Sequence, residues 1–310
     1  MAASPLLSDT LARFVFERSA VRGAVVSLDD ACRDILGCHP YPPALKRALA
    51  ELLAAATLLA STLKFKGALI VQLQGDGPVR LLVVECDAML TLRATAQWND
   101  AANALSPDAS LAELAGGPDH GRLAITLDPK DGGPLYQGIV ALAATSIAAL
   151  VEHYLTTSEQ IVSRMVLATD ASRVRGLLLQ RLPGATSDDD ATWADATAHL
   201  HAIAPAALTD PRSAEALLRA VFPADDLRLF RPRPVRFACS CSAERVANAL
   251  RMIGRTEVES ILAEQGLIGV TCEFCNRSYT FVADEARALF AADSVSAAAR
   301  GSPPPNPVRH

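Results

Sequence analysis

The sequence predicts an α+β protein. We expect a mainly antiparallel sheet packed with helices, then a helical linker, and finally a small cysteine-rich module. Alternating apolar segments separated by Gly- and Pro-rich turns predict the sheet, and a long stripe of leucines at helical spacing predicts its main helix. The module is indicated by two cysteine pairs near the end of the 310-residue chain, Cys239-Ser-Cys241 and Cys272-Glu-Phe-Cys275.

The N-terminal segment predicts a strand followed by a long helix. Residues 10–30 are β-prone and end at Asp29-Asp30, a pair suited to cap a helix. Pro42-Pro43 then opens a helix that we expect to end at Gly67. Its apolar residues share one face, which predicts a core-facing helix rather than a groove for a partner: Leu45, Leu49, Leu52, Leu53, Leu59 and Leu63.

Further strands complete the N-terminal domain, which we place at residues 1–183. The turn signals Gly75-Asp76-Gly77-Pro78 and Asp131-Gly132-Gly133-Pro134 separate apolar segments that alternate with polar residues. This pattern is typical of half-buried strands in an antiparallel sheet. Strands are predicted at 68–74, 79–86, 89–97, 123–127, 136–142, 161–168 and 175–182, with a helix at 145–157.

The amino-acid composition changes after Pro183, and we predict that residues 184–238 form a metastable helical linker. An Ala-rich helix runs to about Ile203, and a second short helix covers Ser213–Val221. Helices shorter than about 12–15 residues need tertiary packing to be stable. The linker should therefore depend on its neighbours for folding.

We predict that residues 239–290 form a small folded module. Ser242 begins a helix that runs to about Ile253. Thr256-Glu257-Val258-Glu259 has capping-box spacing for a second helix, which Gly266 ends. Segments 267–271 and 277–281 should form a hairpin around the second cysteine pair, and residues 291–310 should be a disordered tail.

Composition narrows the class of protein. The net charge of −5 provides no global positive field for nucleic acid. An odd number of cysteines, with no secretory leader at the N-terminus, argues against an extracellular disulfide framework. The uncharged segment Leu52–Leu63 is too short to span a bilayer, which takes about 20 apolar residues. We therefore expect a cytoplasmic protein that does not bind membranes.

The four cysteines have the donor set of a tetrahedral zinc site. Four thiolates can bind one Zn²⁺ at Zn–S distances of about 2.3 Å. The 30-residue spacer between the pairs is longer than the usual ribbon spacing of about 15–20, but it has room for the two predicted helices. Four buried thiols and a constitutive disulfide pair are the alternatives. We predict Cys239, Cys241, Cys272 and Cys275 as ligands of one zinc ion.

Because the module is small, we expect it to fold only when the metal is bound. A module of about 50 residues buries too little apolar surface to be robust alone, whereas a structural zinc contributes an apparent ~10–16 kcal/mol in zinc-finger peptides.

Each cysteine pair can also close locally into a disulfide, as Cys239–Cys241 and Cys272–Cys275. The segment Arg228–Arg255 holds seven arginines and one acidic residue, a local positive field that should favour reactive thiolates. The arginines themselves can be explained by a solvated face, which we rank first, or by a nucleic-acid patch.

At this point the sequence resembles the heat shock protein 33 family of redox-regulated chaperones. The resemblance rests on Cys239-Ser-Cys241-Ser242 with Arg245 and Ile261-Leu262-Ala263-Glu264 after it. Upstream it rests on Leu63-Lys64-Phe65, Val71-Gln72-Leu73-Gln74-Gly75-Asp76-Gly77-Pro78, Tyr136-Gln137-Gly138, Ser158-Glu159-Gln160 and Leu178-Leu179-Gln180. It covers nearly the whole chain in the family's order. One departure is Ile161, where the family commonly has a proline.

The resemblance implies a cytosolic holdase with residues 1–183 as its chaperone core. It implies an inactive, monomeric, zinc-bound state when the protein is reduced. Oxidation together with unfolding conditions would then form both local disulfides, release zinc, and unfold the module and the linker. The resulting homodimer would bind unfolding client proteins. The same four cysteines would be zinc ligands and redox-active thiols.

Three other functions are less consistent with the sequence: an enzyme, a nucleic-acid-binding zinc module and a thiol oxidoreductase. No nucleophile elbow or phosphate-binding loop is present, and we expect no enzymatic activity. A nucleic-acid-binding zinc module is favoured by the arginines but opposed by the net charge and by the lack of interleaved aromatic residues. A thiol oxidoreductase using Cys272 and Cys275 lacks the expected βαβ pattern. The remaining cysteines should be small buried hydrophobes: Cys32, Cys38 and Cys86.

Overall fold

A computed structural model describes residues 8–63, 65–117, 120–170, 173–210 and 212–290. The chain divides into two compact units, the first ending at Cys239 and the second beginning at Ser240. Both units combine helices with antiparallel strands, which confirms the predicted α+β class. The predicted tail at 291–310 lies outside the described residues. Within the described ranges, no helix combines the length and apolarity needed to cross a bilayer.

The strands of the first unit build two sheets. In chain order they are β1 (Thr10–Phe16), β2 (Val21–Leu28), β3 (Ala68–Gly75), β4 (Val79–Asp87), β5 (Thr91–Trp98), β6 (Gly121–Asp128), β7 (Tyr136–Ala141), β8 (Ser163–Asp170), β9 (Arg173–Arg181), β10 (Leu227–Leu229), β11 (Arg233–Pro234) and β12 (Arg236–Phe237). Sheet A has the order β10-β1-β2-β9-β8, with β11 also on β1, and sheet B has the order β12-β5-β4-β3-β6-β7. All these pairs are antiparallel except β12 with β5.

The helices of the first unit pack against these sheets. They are α1 (Asp30–Leu36), α2 (Pro43–Thr62), α3 (Leu111–Ala115), α4 (Ile147–Thr157), α5 (Asp188–His201), α6 (Pro205–Thr209) and α7 (Ala214–Val221), with a 3-10 turn at Asp100–Ala104. Helix α2 belongs to the main apolar core, and its predicted leucine stripe is buried from Leu45 to Leu59. This confirms the core-facing role predicted for the stripe.

The prediction of one strand over residues 10–30 was wrong. The structure has a β1–β2 hairpin, in which the turn at 17–20 carries no Gly, Pro or Asn to mark it. Asp29 does occupy the position before α1, but its side chain makes no capping bond there. The carboxylate of Asp9 instead accepts the Asp29 amide at 2.7 Å and the Ala31 amide at 3.2 Å. This leaves Asp29 available to pair with the buried Arg175.

Helix α2 also ends earlier than predicted, at Thr62 rather than at Gly67. Leu63 already has extended backbone angles, so the chain has left the helix before the glycine is reached. Gly67 has φ +100°, and a Cβ atom there would lie 2.1 Å from the carbonyl oxygen of Asp128. The glycine is therefore needed for the entry into β3, where two backbones meet.

In the linker, helices α5–α7 cover one face of sheet A, strands β10 and β11 extend its edge, and β12 extends sheet B. Helices α5–α7 contribute to an apolar cluster with the sheet side chains Phe14, Phe16 and Leu177, and Phe222 packs edge-on against Phe16 with ring centres 5.4 Å apart. Strand β10 adds to the edge through Phe14 opposite Leu229. The sequence did not predict α6 or strands β10–β12, because such short segments carry no periodic signal of their own.

The second unit contains α8 (Ala243–Ile253), α9 (Arg255–Gln265), β13 (Leu267–Thr271), β14 (Ser278–Val282) and α10 (Ala283–Ala288). The Ser242 side chain caps α8 as predicted, and Gly266 ends α9 with φ +75°. The capping box expected at Thr256 was wrong, because α9 begins two residues earlier than that cap requires, at Arg255, with Gly254 in the N-cap position and no side-chain cap. The described core of this unit is small: Leu250, Val258, Leu262, Ile268, Ala286 and Phe290.

Candidate metal centre

The structure brings the four predicted cysteines together. The Sγ atoms of Cys239, Cys241, Cys272 and Cys275 all lie within 4.8 Å of one another, and each residue is half-buried. The sulfurs of Cys241 and Cys275 are 3.3 Å apart, well beyond a disulfide bond of about 2.05 Å. Two segments far apart in sequence thus converge on one cluster of thiol groups.

A tight turn between β13 and β14 positions the second pair. The Cys272 amide donates to the Arg277 carbonyl at 2.9 Å, and the Asn276 amide donates to the Cys272 carbonyl at 2.8 Å. Asn276 has φ +57°, a left-handed conformation that asparagine tolerates better than most residues. The turn folds back directly after Cys275, which places both sulfurs on the same side of the hairpin end.

The first pair is held between a strand and a helix. Cys239 follows β12, and Ser242 begins α8 by accepting the Arg245 amide on its Oγ at 3.2 Å. The Arg245 guanidinium donates to the Oγ of Ser240 at 2.7 Å, between the two cysteines. Local hydrogen bonds therefore fix the short segment that carries both sulfurs.

Two residues beside the cluster were missed by the sequence analysis. The Tyr279 hydroxyl donates to the Cys241 Sγ at 3.1 Å, and this hydrogen bond raises the pKa of the tyrosine. Arg277 bonds to Tyr279, and that bond, together with the negative charge of Cys241 and Cys275, raises the pKa of the guanidinium. The sequence shows only that both residues follow the second pair. Their reach to Cys241 depends on how the hairpin folds back.

The donor set and spacing fit one zinc ion. Tetrahedral coordination at a Zn–S distance of about 2.3 Å places the sulfurs about 3.8 Å apart. The observed upper limit of 4.8 Å needs only small side-chain adjustments to reach that spacing. A hydrogen bond to a ligand sulfur and a nearby cation are the outer-shell contacts that orient and stabilise thiolates. The four residues could therefore hold a metal ion, and zinc suits four thiolates best.

Several arginines of the Arg228–Arg255 segment have other partners in the first unit. Arg228 pairs with Glu17, and its guanidinium lies 5.4 Å from the centre of the Phe230 ring. Arg233 donates to the Ala88 carbonyl at 2.8 Å. These contacts are structural. The cations that the structure places beside the sulfur-bearing segments are Arg245 and Arg277.

The three remaining cysteines do not belong to the cluster. Cys32 and Cys86 are fully buried, as predicted, and burial raises the pKa of each thiol to about 12. The prediction of burial was wrong for Cys38, which is half-exposed after the end of α1. Its Sγ donates to the Asp34 carbonyl at 3.3 Å.

Comparison with known proteins decides the family. The model of the "Hsp33 protein" family matches residues 9–282. The chain belongs to the Hsp33 family. A 33 kDa chaperonin of Methylobacillus flagellatus is 43% identical over 98% of this chain and 99% of its own length. A 33 kDa chaperonin of Chromobacterium violaceum is 40% identical over 94% of this chain and 96% of its own length.

A solved Hsp33 structure has the same fold. The crystal structure of the 33 kDa chaperonin from Thermotoga maritima, a heat shock protein 33 homolog, superposes with a TM-score of 0.74 at 20% identity. The match covers 93% of this chain and 99% of the other. The family predicted from the sequence motifs is therefore confirmed, and the Hsp33 architecture extends over nearly the whole chain.

Proposed function

We propose that this chain is a holdase chaperone whose activity is switched on by oxidation of its four-cysteine zinc centre. Relatives covering nearly the whole chain are named chaperonins, which supports chaperone activity. The convergence of four sulfurs within 4.8 Å is the observation that supports a switch, because one cluster supplies both the metal ligands and the oxidisable groups. In this proposal the protein acts by binding its clients and not by catalysis.

In the reduced state one Zn²⁺ is held by Cys239, Cys241, Cys272 and Cys275. The ion supplies folding free energy to a unit whose described core is only a few apolar side chains. The protein is monomeric and cytoplasmic in this state. Residues 239–290 form the redox-switch module, residues 184–238 form the metastable linker, and residues 1–183 form the chaperone core.

Oxidation removes the ligands in two equivalent reactions. In each, a thiolate attacks one oxygen of hydrogen peroxide, which gives a sulfenic acid and releases hydroxide. The partner sulfur attacks the sulfenic sulfur, a disulfide forms, and the second oxygen leaves as water after protonation. Two electrons pass from each sulfur pair to one peroxide. We propose the local pairs Cys239–Cys241 and Cys272–Cys275, after which Zn²⁺ has no thiolate ligands and dissociates.

Loss of the metal unfolds the module and destabilises the linker. The linker helices cover an apolar face of sheet A that includes Phe14, Phe16 and Leu177, and Phe222 of the linker packs against it. Detachment of these helices exposes a contiguous apolar surface, the kind of surface that binds non-native proteins. Unfolding clients are the proposed partners, and a second copy of the chain joins through the same exposed regions in the oxidised state.

The switch is tested by comparing reduced, zinc-loaded protein with protein treated with peroxide at raised temperature. Zinc release, loss of free thiols and suppression of light scattering by a heat-denatured client should appear together. Equal suppression by the reduced, zinc-loaded protein would contradict the proposal. Peptide mapping of the oxidised protein should recover the two local disulfides. A dominant Cys241–Cys275 bond, which joins the two sulfurs found 3.3 Å apart, would overturn the pairing.

A further inference from the structure

A pocket opens on sheet A where helix α2 stops covering it. Helix α2 covers one face of sheet A and ends at Thr62. Beyond that end, the same face of strands β1, β2 and β9 is not covered by the helix. There the sheet lines an opening of about 300 Å³, together with Thr62 and Phe230. This volume is at the lower end of the range for small-molecule sites. The opening lies on the opposite face of sheet A from the cluster formed by helices α5–α7.

Two arginines lie side by side in this pocket. Arg13 pairs with Ala24 across β1 and β2, and Arg22 precedes Ala24 by two residues, so the two side chains are diagonal neighbours on one face. Burial and the neighbouring charge of Arg13 both lower the pKa of Arg22. The two guanidinium groups therefore repel each other in a partly desolvated place.

The described residues leave this repulsion without a counter-charge. Arg22 donates through Nε to the neutral amide oxygen of Gln180 at 3.0 Å, and Arg13 lies 5.9 Å from the centre of the Phe230 ring. None of the carboxylates in the described ranges forms an ion pair with either arginine. By contrast, the strand residues Arg93 and Arg175 each pair with a carboxylate.

Apolar side chains form much of the remaining wall, beside the polar residues Ser61, Thr62 and Gln180. The apolar part consists of Val15, Ala24 and Leu178 on the strands and Leu182 directly after β9, and Phe230 closes one side while remaining 39% exposed. A ligand that fills this pocket should therefore have a negatively charged group that binds the two guanidinium groups and an apolar group that packs against the apolar side chains. Guanidinium binds a carboxylate through two parallel hydrogen bonds, which suits the planar forks of Arg13 and Arg22.

We propose that this pocket is a binding site for organic carboxylates, in which Arg13 and Arg22 hold the carboxylate and Phe230 with the sheet residues holds an attached apolar group. A free medium-chain fatty acid and the C-terminal end of an apolar peptide share this chemistry. The site is complete in the first unit and needs neither zinc nor oxidation. Its occupation is thus independent of the proposed redox switch.

Binding is measured by titration calorimetry on the full-length, reduced, zinc-loaded protein with octanoate as the probe. Saturable binding of octanoate is expected, with affinity falling as salt is raised. Octanol has the same tail without the charge and should bind at least tenfold more weakly. An N-acetylated Leu-Leu-Phe peptide with a free carboxylate, compared with its amide, tests the peptide source. Octanoate alone binding identifies a small-molecule site, and the peptide alone binding identifies a chain-end site.

Arg13→Gln should weaken the binding of whichever probe binds by about tenfold or more, because it removes a charge-assisted hydrogen bond. Arg80→Gln is the matched control, since Arg80 is another exposed strand arginine outside the pocket, and it should leave affinity unchanged. The proposal is overturned if neither probe binds, if the uncharged counterpart of a probe that binds matches it in affinity, or if both variants bind like the wild type. The octanol comparison uses unaltered protein, so the test survives a variant that fails to fold.

Discussion

At the scale of single residues, the four sulfurs do not have identical surroundings. Cys241 receives a hydrogen bond from the Tyr279 hydroxyl at 3.1 Å and lies 3.3 Å from the sulfur of Cys275. Donation to a thiolate stabilises its negative charge and lowers its nucleophilicity. Cys241 should therefore be protected from oxidants for as long as the hairpin that carries Tyr279 stays folded.

Tyr279→Phe is expected to speed the centre's oxidation. The change removes the donated hydrogen bond and keeps the ring, and a hydrogen bond contributes about 0.5–1.5 kcal/mol, which corresponds to roughly a two- to tenfold faster reaction. Zinc release under a fixed peroxide concentration, followed with a colorimetric chelator, measures the rate. Tyr136→Phe, at an exposed tyrosine in the first unit, is the control. Equal rates in both variants would show that the hydroxyl is only a packing contact.

Cys272→Ser should leave the protein with little bound zinc after dialysis, because a serine hydroxyl is a poor substitute for a thiolate ligand. Zinc content is measured by atomic emission on the purified protein. Cys38→Ser is the matched control: its half-exposed sulfur lies outside the cluster, and a serine hydroxyl can make the same bond to the Asp34 carbonyl. Full zinc content in Cys272→Ser would remove this residue from the ligand set.

At the scale of secondary-structure elements, two carboxylates of the first linker helix bond to sheet A and its hairpin: Asp190 pairs with Arg181 of β9, and Asp189 bonds to the β1–β2 turn. Asp189, in the first turn of α5, accepts the Ala20 amide at 2.7 Å and the Thr186 amide at 2.8 Å. Ala20 lies in the turn between β1 and β2. The two bonds thus join the start of the linker to the hairpin that the linker helices cover.

Asp189→Ala is expected to loosen α5 without unfolding the sheet. Amide hydrogen exchange should become faster in residues 188–201, while exchange in β2 and β9 stays unchanged. Asp195→Ala, at an exposed position on the same helix, is the control. If the linker limits activation, the Asp189 variant should also bind clients at a lower peroxide dose. Unchanged exchange in α5 would show that packing and the Arg181–Asp190 ion pair hold the linker without Asp189.

The same contact predicts a response to acid. The amides of Ala20 and Thr186 lower the pKa of Asp189 below its ordinary value. A lowered folded-state pKa stabilises docking at pH values above the unfolded pKa of about 3.9, and this contribution is lost as the pH falls through the folded value. Exchange in α5 should therefore accelerate below about pH 4 in the wild type, relative to the intrinsic exchange rate, and show a smaller change in Asp189→Asn.

Helices and strands were predicted best where the local sequence pattern agrees with the way the element packs in the fold. The turn Gly75–Pro78 marked β3 and β4, and the leucine stripe marked α2. The β1–β2 turn was missed because its residues carry no turn signal, and strands β10–β12 were missed because they exist only through pairing with distant strands. The cysteine spacing predicted the four residues whose sulfurs the structure brings together. Tyr279 and Arg277 could not be assigned to it, because their role depends on the hairpin's fold.

At the scale of the whole molecule, the two units differ greatly in how much apolar surface they bury. The first unit contains a large core around α2 and a second cluster under α5–α7. The second unit relies on a few side chains around Ile268 and Leu262. Since small cores rarely support folding alone, metal binding should control the second unit and leave the first largely unaffected.

Chelation of zinc under reducing conditions tests this difference directly. Amide exchange should accelerate throughout β13 and β14, whereas β2 and β9 should keep their protection. Adding zinc back should restore protection in the hairpin. A hairpin that stays protected in metal-free, reduced protein would show that the apolar core of the second unit is sufficient, and the switch would then need another source of instability.

The parallel pairing of β12 with β5 affects how the four-cysteine cluster would re-form after oxidation and reduction. Arg236 and Phe237 lie beside Thr91 and Leu92, and the Ala238 amide donates to the Leu92 carbonyl at 3.1 Å. The chain is therefore anchored immediately before the first cysteine pair, at a place that belongs to the stable first unit.

This anchor makes recovery a search within one molecule. Once a reductant has restored the thiols, the second cysteine pair returns through a 30-residue loop, and the entropic cost of closing such a loop grows only slowly with its length. Sulfurs tethered in this way meet at a high effective concentration. At a buffered concentration of free zinc, the rate of zinc recapture should consequently be independent of protein concentration. If the proposed switch operates, the protein would then recover after each episode of oxidation without cross-linking to its neighbours.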